Sequence, residues 1–138
     1  MLSHLTEISV RFNEADPLGI VWHGHYVRYF EDGREAFGKH FGLSYLDFFE
    51  HGIVVPIVSM QCDFKKPLRY GDSMKIVTTF EPSPAAKLMF GYQIYHSKTN
   101  ELVASGSSVQ VFVDAKSFEL HLTMPLFFDQ WKTRWNIL

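Results

Sequence analysis

Hydrophobic and polar positions alternate with different periods along the chain. From Ile8 to Phe12 every second residue is apolar, which is the period of a half-buried β-strand. Between Gly24 and about His40 the apolar residues recur every three or four positions, as in an amphipathic helix. The predicted buried face of this helix consists of Tyr26, Phe30, Gly33, Phe37 and Phe41. Gly42 is expected to end the helix, and Ser44 to cap a short second helix through Phe49.

The rest of the pattern predicts strands joined by short turns. The predicted strands are Ile53 to Lys65, Met74 to Phe80, Leu88 to His96, and Leu102 to Val113. Pro56 interrupts the first of them and predicts a sheet edge or a bulge near its start. A strand, a long helix and four further strands predict an α+β fold, in which the helix covers one face of an antiparallel sheet. We expect one domain over residues 1–138.

Composition restricts the kinds of partner. The net charge of −2 and the absence of a basic stripe argue against nucleic acid. Cys62 is the only cysteine, so neither an intrachain disulfide nor a cysteine-rich zinc site is expected. The N-terminus lacks the basic and apolar regions of a signal peptide. The apolar stretch Ile53 to Val58 is too short to cross a membrane. We therefore expect a cytoplasmic protein with no membrane partner.

The candidate chemistry lies in the segment from Asp16 to Tyr26, DPLGIVWHGHY. Pro17 favours an extended conformation at Asp16, and Gly19 permits a tight turn. The first turn of the following helix has N–H groups without intrahelical acceptors and carries a partial positive charge. Asp16 alone would also fit an ordinary turn. Together, an ionised carboxylate and free N–H donors are what attack on a carbonyl requires.

Several other chemistries are disfavoured. His23 and His25 are two positions apart, so their side chains would diverge by about 200° on a helix and would not share a metal ion. No metal or cofactor is expected. Ser105 to Ser108 fall within a strand pattern and lack a G-x-S-x-G nucleophile elbow, and no glycine-rich nucleotide loop occurs. Cys62 has no neighbour that would lower its pKa, so it is interpreted as a core or interface residue.

The segment around Asp16 resembles the signature of the 4-hydroxybenzoyl-CoA thioesterase family, a branch of the hotdog-fold acyl-CoA thioesterases. The resemblance extends from Glu7 to Trp131. Weaker matches are Lys66-Pro67-Leu68 with Gly71-Asp72, Leu102-Val103-Ala104, and Met124-Pro125. The resemblance implies the hotdog fold, an antiparallel sheet wrapped around one long central helix.

The resemblance also implies roles for individual residues. Asp16 would be catalytic, as a nucleophile or as a general base toward water, and the backbone N–H of His23 would polarise the thioester carbonyl. Gly19, Tyr26, Val58 and Ser59 would contact the substrate, and Lys66 and Lys87 would bind the phosphates of CoA. Lys65 and Arg69 are further candidates, and Glu31 either lines the pocket or faces solvent.

The implied reaction is hydrolysis of an acyl-CoA thioester to the free acid and CoA. An acyl carrier protein could replace CoA as the thiol carrier, and a catalytically idle domain that only binds acyl thioesters is the alternative from another class. The sequence leaves the acyl group open. Open sheet edges and the resemblance together predict a homodimer or homotetramer with active sites at the subunit interface. The Asp16 loop of one subunit would face Ile57 to Met60 of its partner.

Overall fold

The long amphipathic segment forms a helix that lies on one face of an antiparallel sheet. The computed structural model describes residues 1–137. Its strands are β1 (Ser3–Ser9), β2 (Ile53–Val54), β3 (Ile57–Phe64), β4 (Ser73–Glu81), β5 (Lys87–His96), β6 (Leu102–Val111) and β7 (Val113–Asp114). Its helices are α1 (His25–Phe41), α2 (Tyr45–Glu50) and α3 (Leu126–Arg134). Strands β1-β4-β5-β6-β3 form the main sheet in that order, and β2 pairs with β7. The predicted α+β hotdog architecture is confirmed. Residue 138, the last of the predicted domain, lies outside the described residues.

Helix α1 buries the face that its periodicity predicts. The Phe30 ring stacks on Tyr92 at 4.5 Å between centroids, and Phe37 packs edge-on against Phe90 at 5.0 Å. Burial of each phenyl group contributes on the order of 2–3 kcal/mol. Gly42 ends the helix in the left-handed conformation, with φ +75°. The predicted bounds of α1 are therefore correct to within one residue at each end.

The helix crosses the sheet diagonally. At its N-terminal end Tyr26 contacts Phe64, the last residue of β3. At its C-terminal end Phe41 contacts His4 near the start of β1. The corner where β3 and β5 begin and β6 ends is therefore not covered by α1. This corner contains a cavity of about 550 Å³, which α1 and α2 border.

The first strand was wrongly placed by its pattern. The predicted strand from Ile8 to Phe12 is in fact Ser3–Ser9, followed by a 3-10 turn at Phe12–Glu14. Phe12 is 78% exposed. The residues of β1 opposite the buried positions of β4 are His4, Thr6 and Ile8. Since two of these are polar, the alternation that marks a strand is missing where the strand lies.

Pro56 divides the segment that was predicted as one strand from Ile53 to Lys65. β2 ends before it and β3 begins after it, because proline has no N–H to donate to a ladder. The register against β6 shifts between Ile57 and Ser59, so the predicted irregularity is confirmed. β3 lies at one edge of the sheet, where Val58 is exposed.

Helix α3 was not predicted. It fixes the end of α1, because the indole N–H groups of Trp131 and Trp135 both donate to the Phe41 carbonyl, at 2.7 Å and 3.2 Å. Trp131 and Phe128 are buried against the ring of Phe80.

Candidate active site

The Asp16 loop is a β-turn that adjacent backbone bonds hold in place. The Gly19 N–H donates to the Asp16 carbonyl at 2.9 Å, and Gly19 has φ +80°. Asp, Pro and Gly occupy the first, second and fourth positions, which are favoured for them in such turns. The Val21 N–H donates to the Leu68 carbonyl at 2.8 Å, which attaches the loop to the segment after β3.

Only one oxygen of the Asp16 carboxylate is engaged. Oδ1 accepts a hydrogen bond from the Leu18 N–H at 2.8 Å. Within residues 1–137, Oδ2 has no hydrogen-bond partner. The residue is partly exposed. The turn therefore orients the carboxylate through one oxygen and leaves the other available for chemistry.

The entrance of α1 presents two free donors. The N–H groups of His25 and Tyr26 donate to the carbonyls of Trp22 and His23, at 3.0 Å and 3.3 Å. Those of His23 and Gly24 find no acceptor in the described part of the chain. A Cβ at Gly24 would lie 2.2 Å from the Trp22 ring, so the indole fits only because the residue is glycine. At a helix N-terminus, two such donors favour an oxyanion.

Aromatic side chains surround this entrance. The ring of Phe64 makes edge contacts with His23 and Tyr26, at 6.3 Å and 5.1 Å between centroids. Tyr26 is 3% exposed, and burial raises the pKa of its hydroxyl. Tyr26 is therefore part of the packing around the entrance and offers little surface to a ligand within one chain. His25 was interpreted as a surface or interface residue; its Nδ1 lies 3.1 Å from the Arg28 guanidinium.

Sequence reasoning missed Glu14, two residues before Asp16. Glu14 is 3% exposed and forms an ion pair with Arg28 of α1. Its Oε1 also accepts from the Tyr29 hydroxyl at 3.0 Å. A glutamate in a turn gives no sign of burial in a single sequence, since glutamate is usually exposed.

The sequence profile of the thioesterase-like superfamily matches residues 10–131, which include the loop, α1 and the main sheet except β1. The chain belongs to the thioesterase-like superfamily. YneP of Bacillus subtilis (strain 168), named as a proposed acyl-CoA thioesterase, is 37% identical over 113 residues, or 82% of this chain and 81% of YneP. The solved DHNA-CoA thioesterase of Staphylococcus aureus is 27% identical with a TM-score of 0.84, covering 99% of this chain and 87% of that one. The chloroplastic acyl-acyl carrier protein thioesterase ATL3 of Arabidopsis thaliana is 26% identical, covering 82% of this chain and 60% of ATL3. The predicted family, fold and enzyme class, thioester hydrolase, are confirmed.

Two predicted substrate contacts of this thioesterase, Val58 and Ser59, lie at the opposite end of its sheet from the Asp16 loop. Val58 and Ser59 begin β3, whereas Phe64, which contacts His23, ends it. Five or six residues of strand separate them, roughly 20 Å at ~3.3 Å per residue. One chain therefore carries Asp16, Gly19, His23 and Tyr26 in a single segment, whereas Val58 and Ser59 lie at the other end of β3.

Lys66 and Lys87 are likewise far apart in the thioesterase. The Lys66 N–H donates to the Val103 carbonyl near the start of β6, and Lys87 is paired with Val111 at its end. Eight residues of strand correspond to roughly 26 Å. The Lys66 ammonium also pairs with Glu101, and both side chains are about half exposed. Within one chain the two lysines cannot bind the same phosphate group.

The Asp16 loop lies apart from three cavities of one thioesterase chain. These cavities measure about 400, 550 and 310 Å³, and neither Asp16 nor His23 lines any of them. The cavity at the uncovered corner has the apolar side chains of Leu88, Phe90 and Val55 in its wall. It lies at the end of the sheet that carries Lys87.

Metal ligands, the Cys62 thiol and the serines of β6 do not form a second candidate site among residues 1–137. In residues 1–137, no three His, Cys, Asp or Glu side chains are placed to hold a metal ion. Burial raises the pKa of the Cys62 thiol, which makes it a poorer nucleophile. Ser105 to Ser108 lie within β6, as expected. None of the described helices combines the length and apolar character of a membrane span.

Proposed function

We propose that this thioesterase hydrolyses acyl-CoA thioesters to a free acid and CoA, with Asp16 as the catalytic carboxylate. The observation that carries this proposal is the pairing of a half-engaged carboxylate with two unpaired N–H donors in one segment. The N–H groups of His23 and Gly24 would bind the oxygen of the thioester carbonyl as negative charge develops on it. Oδ2 of Asp16 would attack the carbonyl carbon or activate the water molecule that attacks it.

Two routes are compatible with this geometry. Oδ2 attacks the carbonyl carbon, the C–S bond breaks with release of the CoA thiolate, and water then hydrolyses the mixed anhydride. Alternatively, Oδ2 takes a proton from a water molecule that attacks the same carbon; the C–S bond then breaks, and the CoA thiolate leaves and takes up a proton. Both routes place the tetrahedral oxyanion against the entrance of α1, so both depend on the same two donors.

We infer that two chains pair through the exposed edge of β3. An open edge strand with exposed Val58 and Phe64 favours pairing with a second chain. Antiparallel pairing about a two-fold axis would set the end of β3 beside the beginning of the partner's β3. The Asp16 loop would then face the partner subunit's Val58 and Ser59, as the sequence resemblance implies.

The same pairing would complete the substrate site. It would place the cavity of about 550 Å³ from one subunit next to the Asp16 loop of the other. This volume lies in the range of small-molecule sites, and the apolar wall suits an acyl group. Lys66 and the partner subunit's Lys87 would lie on one side of the dimer, where they would bind the phosphates of CoA.

The relatives support CoA as the carrier. YneP and the Staphylococcus aureus enzyme both carry names that refer to CoA thioesters. ATL3 carries a name that refers to acyl carrier protein, so that carrier is the second candidate. A panel of aromatic and straight-chain acyl groups, each on CoA and on acyl carrier protein and assayed by thiol release, distinguishes the two.

The central test is Asp16→Asn. We expect kcat to fall by at least about 100-fold, the usual scale for the loss of a positioned acid or base, with the fold retained. Circular dichroism and the melting temperature check the fold, and calorimetry with an acyl-CoA checks binding. Near-normal turnover by Asp16→Asn would remove Asp16 from the mechanism. A wild-type chain that binds acyl-CoA but releases no thiol would be a binding domain instead.

A further inference from the structure

Glu14 is a buried carboxylate that connects the two halves of the candidate site. It ends the 3-10 turn Phe12–Glu14, two residues before Asp16. Its side chain is 4% exposed. A carboxylate is rarely buried to this extent unless charged or polar partners compensate for the lost water.

The partners of the Glu14 carboxylate come from both sides of the loop. Oε1 accepts the Arg11 N–H at 2.7 Å and the Tyr29 hydroxyl at 3.0 Å. Oε2 receives the Arg28 guanidinium. Burial and the adjacent Glu14 charge strongly raise the pKa of Tyr29, so its hydroxyl stays protonated and donates. Arg28 and Tyr29 belong to the beginning of α1, whereas Arg11 precedes the loop.

The backbone of Glu14 makes the second connection. Its carbonyl accepts the Trp22 N–H at 3.1 Å, and Trp22 immediately precedes His23. Ala15 pairs with Val21 in a β-bridge, and the Asp16 N–H donates to the Ile20 carbonyl at 2.8 Å. The carboxylate of Asp16 and the N–H of His23 are thus on the two legs of one small hairpin that Glu14 closes.

We propose that Glu14 is a positioning residue for the reaction proposed above, on which this inference rests. Its side chain fixes the hairpin to α1, and its carbonyl fixes the chain that enters α1. Together they set the distance between Oδ2 of Asp16 and the free donors at the helix entrance. Displacement by about 1 Å can cost about 100-fold in rate, so this anchor controls catalysis without touching substrate.

Glu14→Gln tests the anchor with little change in volume. The amide oxygen still accepts from Arg11 and Tyr29, but the amide nitrogen meets the Arg28 guanidinium with two donors facing each other. Since the Arg28 side chain is 44% exposed, it can turn to water, and the fold should survive. We expect kcat to fall by about 10-fold to 100-fold and KM to change less than about 3-fold. Glu7→Gln, an exposed glutamate on β1, is the matched control and should match the wild type.

A double mutant separates positioning from a general structural role. In the Asp16→Asn background, Glu14→Gln should lower the remaining kcat by less than about 2-fold, because the group that it positions is already gone. If Glu14 had only a general structural role, the losses in kcat from Asp16→Asn and Glu14→Gln would instead multiply. Losses that multiply, or an unchanged kcat in Glu14→Gln alone, would overturn the proposal.

Hydrogen exchange gives a readout that does not depend on turnover. The amides of Asp16, Val21 and Trp22 are bonded within the hairpin or to its support. They should exchange at least about 10-fold faster in Glu14→Gln, while amides of β4 and β5 keep wild-type protection. Unchanged exchange in the hairpin would overturn the anchor even if the wild-type chain hydrolysed no thioester. Failure of the proposed function would appear separately, as full turnover by Asp16→Asn or no turnover by the wild type.

Discussion

At the scale of single residues, the backbone and the side chain of His23 have separable roles in the proposed reaction. The N–H has no protein acceptor among the described residues. The imidazole is exposed to solvent and contacts the rings of Trp22 and Phe64. In the proposed reaction the N–H binds the oxyanion, and the ring only shapes the entrance.

His23→Ala and His23→Pro distinguish these contributions. Alanine keeps the N–H, so we expect less than about a 10-fold loss in kcat. Proline removes the N–H, so we expect a loss of about 100-fold to 1000-fold, as for other oxyanion-hole donors. Steady-state kinetics measure both, with the melting temperature as the control for folding. A large loss in His23→Ala would give the imidazole a chemical role.

For single residues, the sequence predicts which side chains can take part in chemistry better than it predicts how buried each of them is. Asp16 and Gly19 are recognisable because a turn with Asp, Pro and Gly at these positions has few alternatives. Glu14 was missed because its burial depends on Arg28 and Tyr29, which lie fourteen and fifteen residues away. No local pattern records a contact of that kind.

Among the elements, α1 approaches the sheet closely at Gly33. A Cβ there would lie 2.5 Å from Thr78 Oγ1 and 2.7 Å from Ile76 Cγ2 on β4. Alanine is the better helix former by about 1 kcal/mol, but the collision would force α1 away from the sheet. The absence of a side chain at Gly33 thus sets the height of α1 above the sheet.

We expect Gly33→Ala to lower the free energy of unfolding by about 1–3 kcal/mol, as overpacked cores do. Thr78→Ala removes the nearest obstacle, and Thr78 Oγ1 has no hydrogen-bond partner in residues 1–137. The double mutant Gly33→Ala/Thr78→Ala should therefore be more stable than the two separate losses imply. Urea denaturation measures all three variants. Strict additivity would show that Thr78 does not set the contact.

The helices and strands were predicted correctly where the spacing of apolar residues in the sequence matches the buried face of the element. Helix α1 and strands β4 and β5 have an apolar residue at most inward positions, so their bounds were correct to within one residue. β1 failed because its inward positions include His4 and Thr6. Helix α3 was missed because its apolar residues do not mark its buried face: Leu126 is 71% exposed, whereas Lys132 is buried.

On the scale of the whole molecule, the proposed dimer makes each active site depend on two chains. Asp16 and His23 come from one subunit, and Lys87 would come from the other. Lys87→Glu should therefore raise KM for acyl-CoA, whereas Asp16→Asn should lower kcat.

Mixing two defective chains tests this division. If Asp16→Asn and Lys87→Glu subunits exchange freely, half of the dimers are mixed, and each mixed dimer has one intact site. At a substrate concentration well below the KM of Lys87→Glu, where its homodimers turn over little, activity should return to about one quarter of the wild-type value. Asp16→Asn mixed with His23→Pro is the matched control; it should stay inactive because both residues belong to the same half-site. Equal recovery in both mixtures, or an active monomer by light scattering, would contradict the shared site.

The indole that lies over Gly24 also has a spectroscopic consequence. Trp22 is 49% exposed and touches both His23 and His25, whereas Trp131 is fully buried under α1 and Trp135 lies beside it against Phe41. The chain therefore carries one fluorophore at the proposed catalytic entrance and two that report on the integrity of the helix packing. Solvent quenchers reach Trp22 far more readily than Trp131, but Trp135 is also 37% exposed. In a Trp135→Phe variant the accessible emission comes from Trp22, so quenching then separates occupancy of the site from unfolding of the molecule.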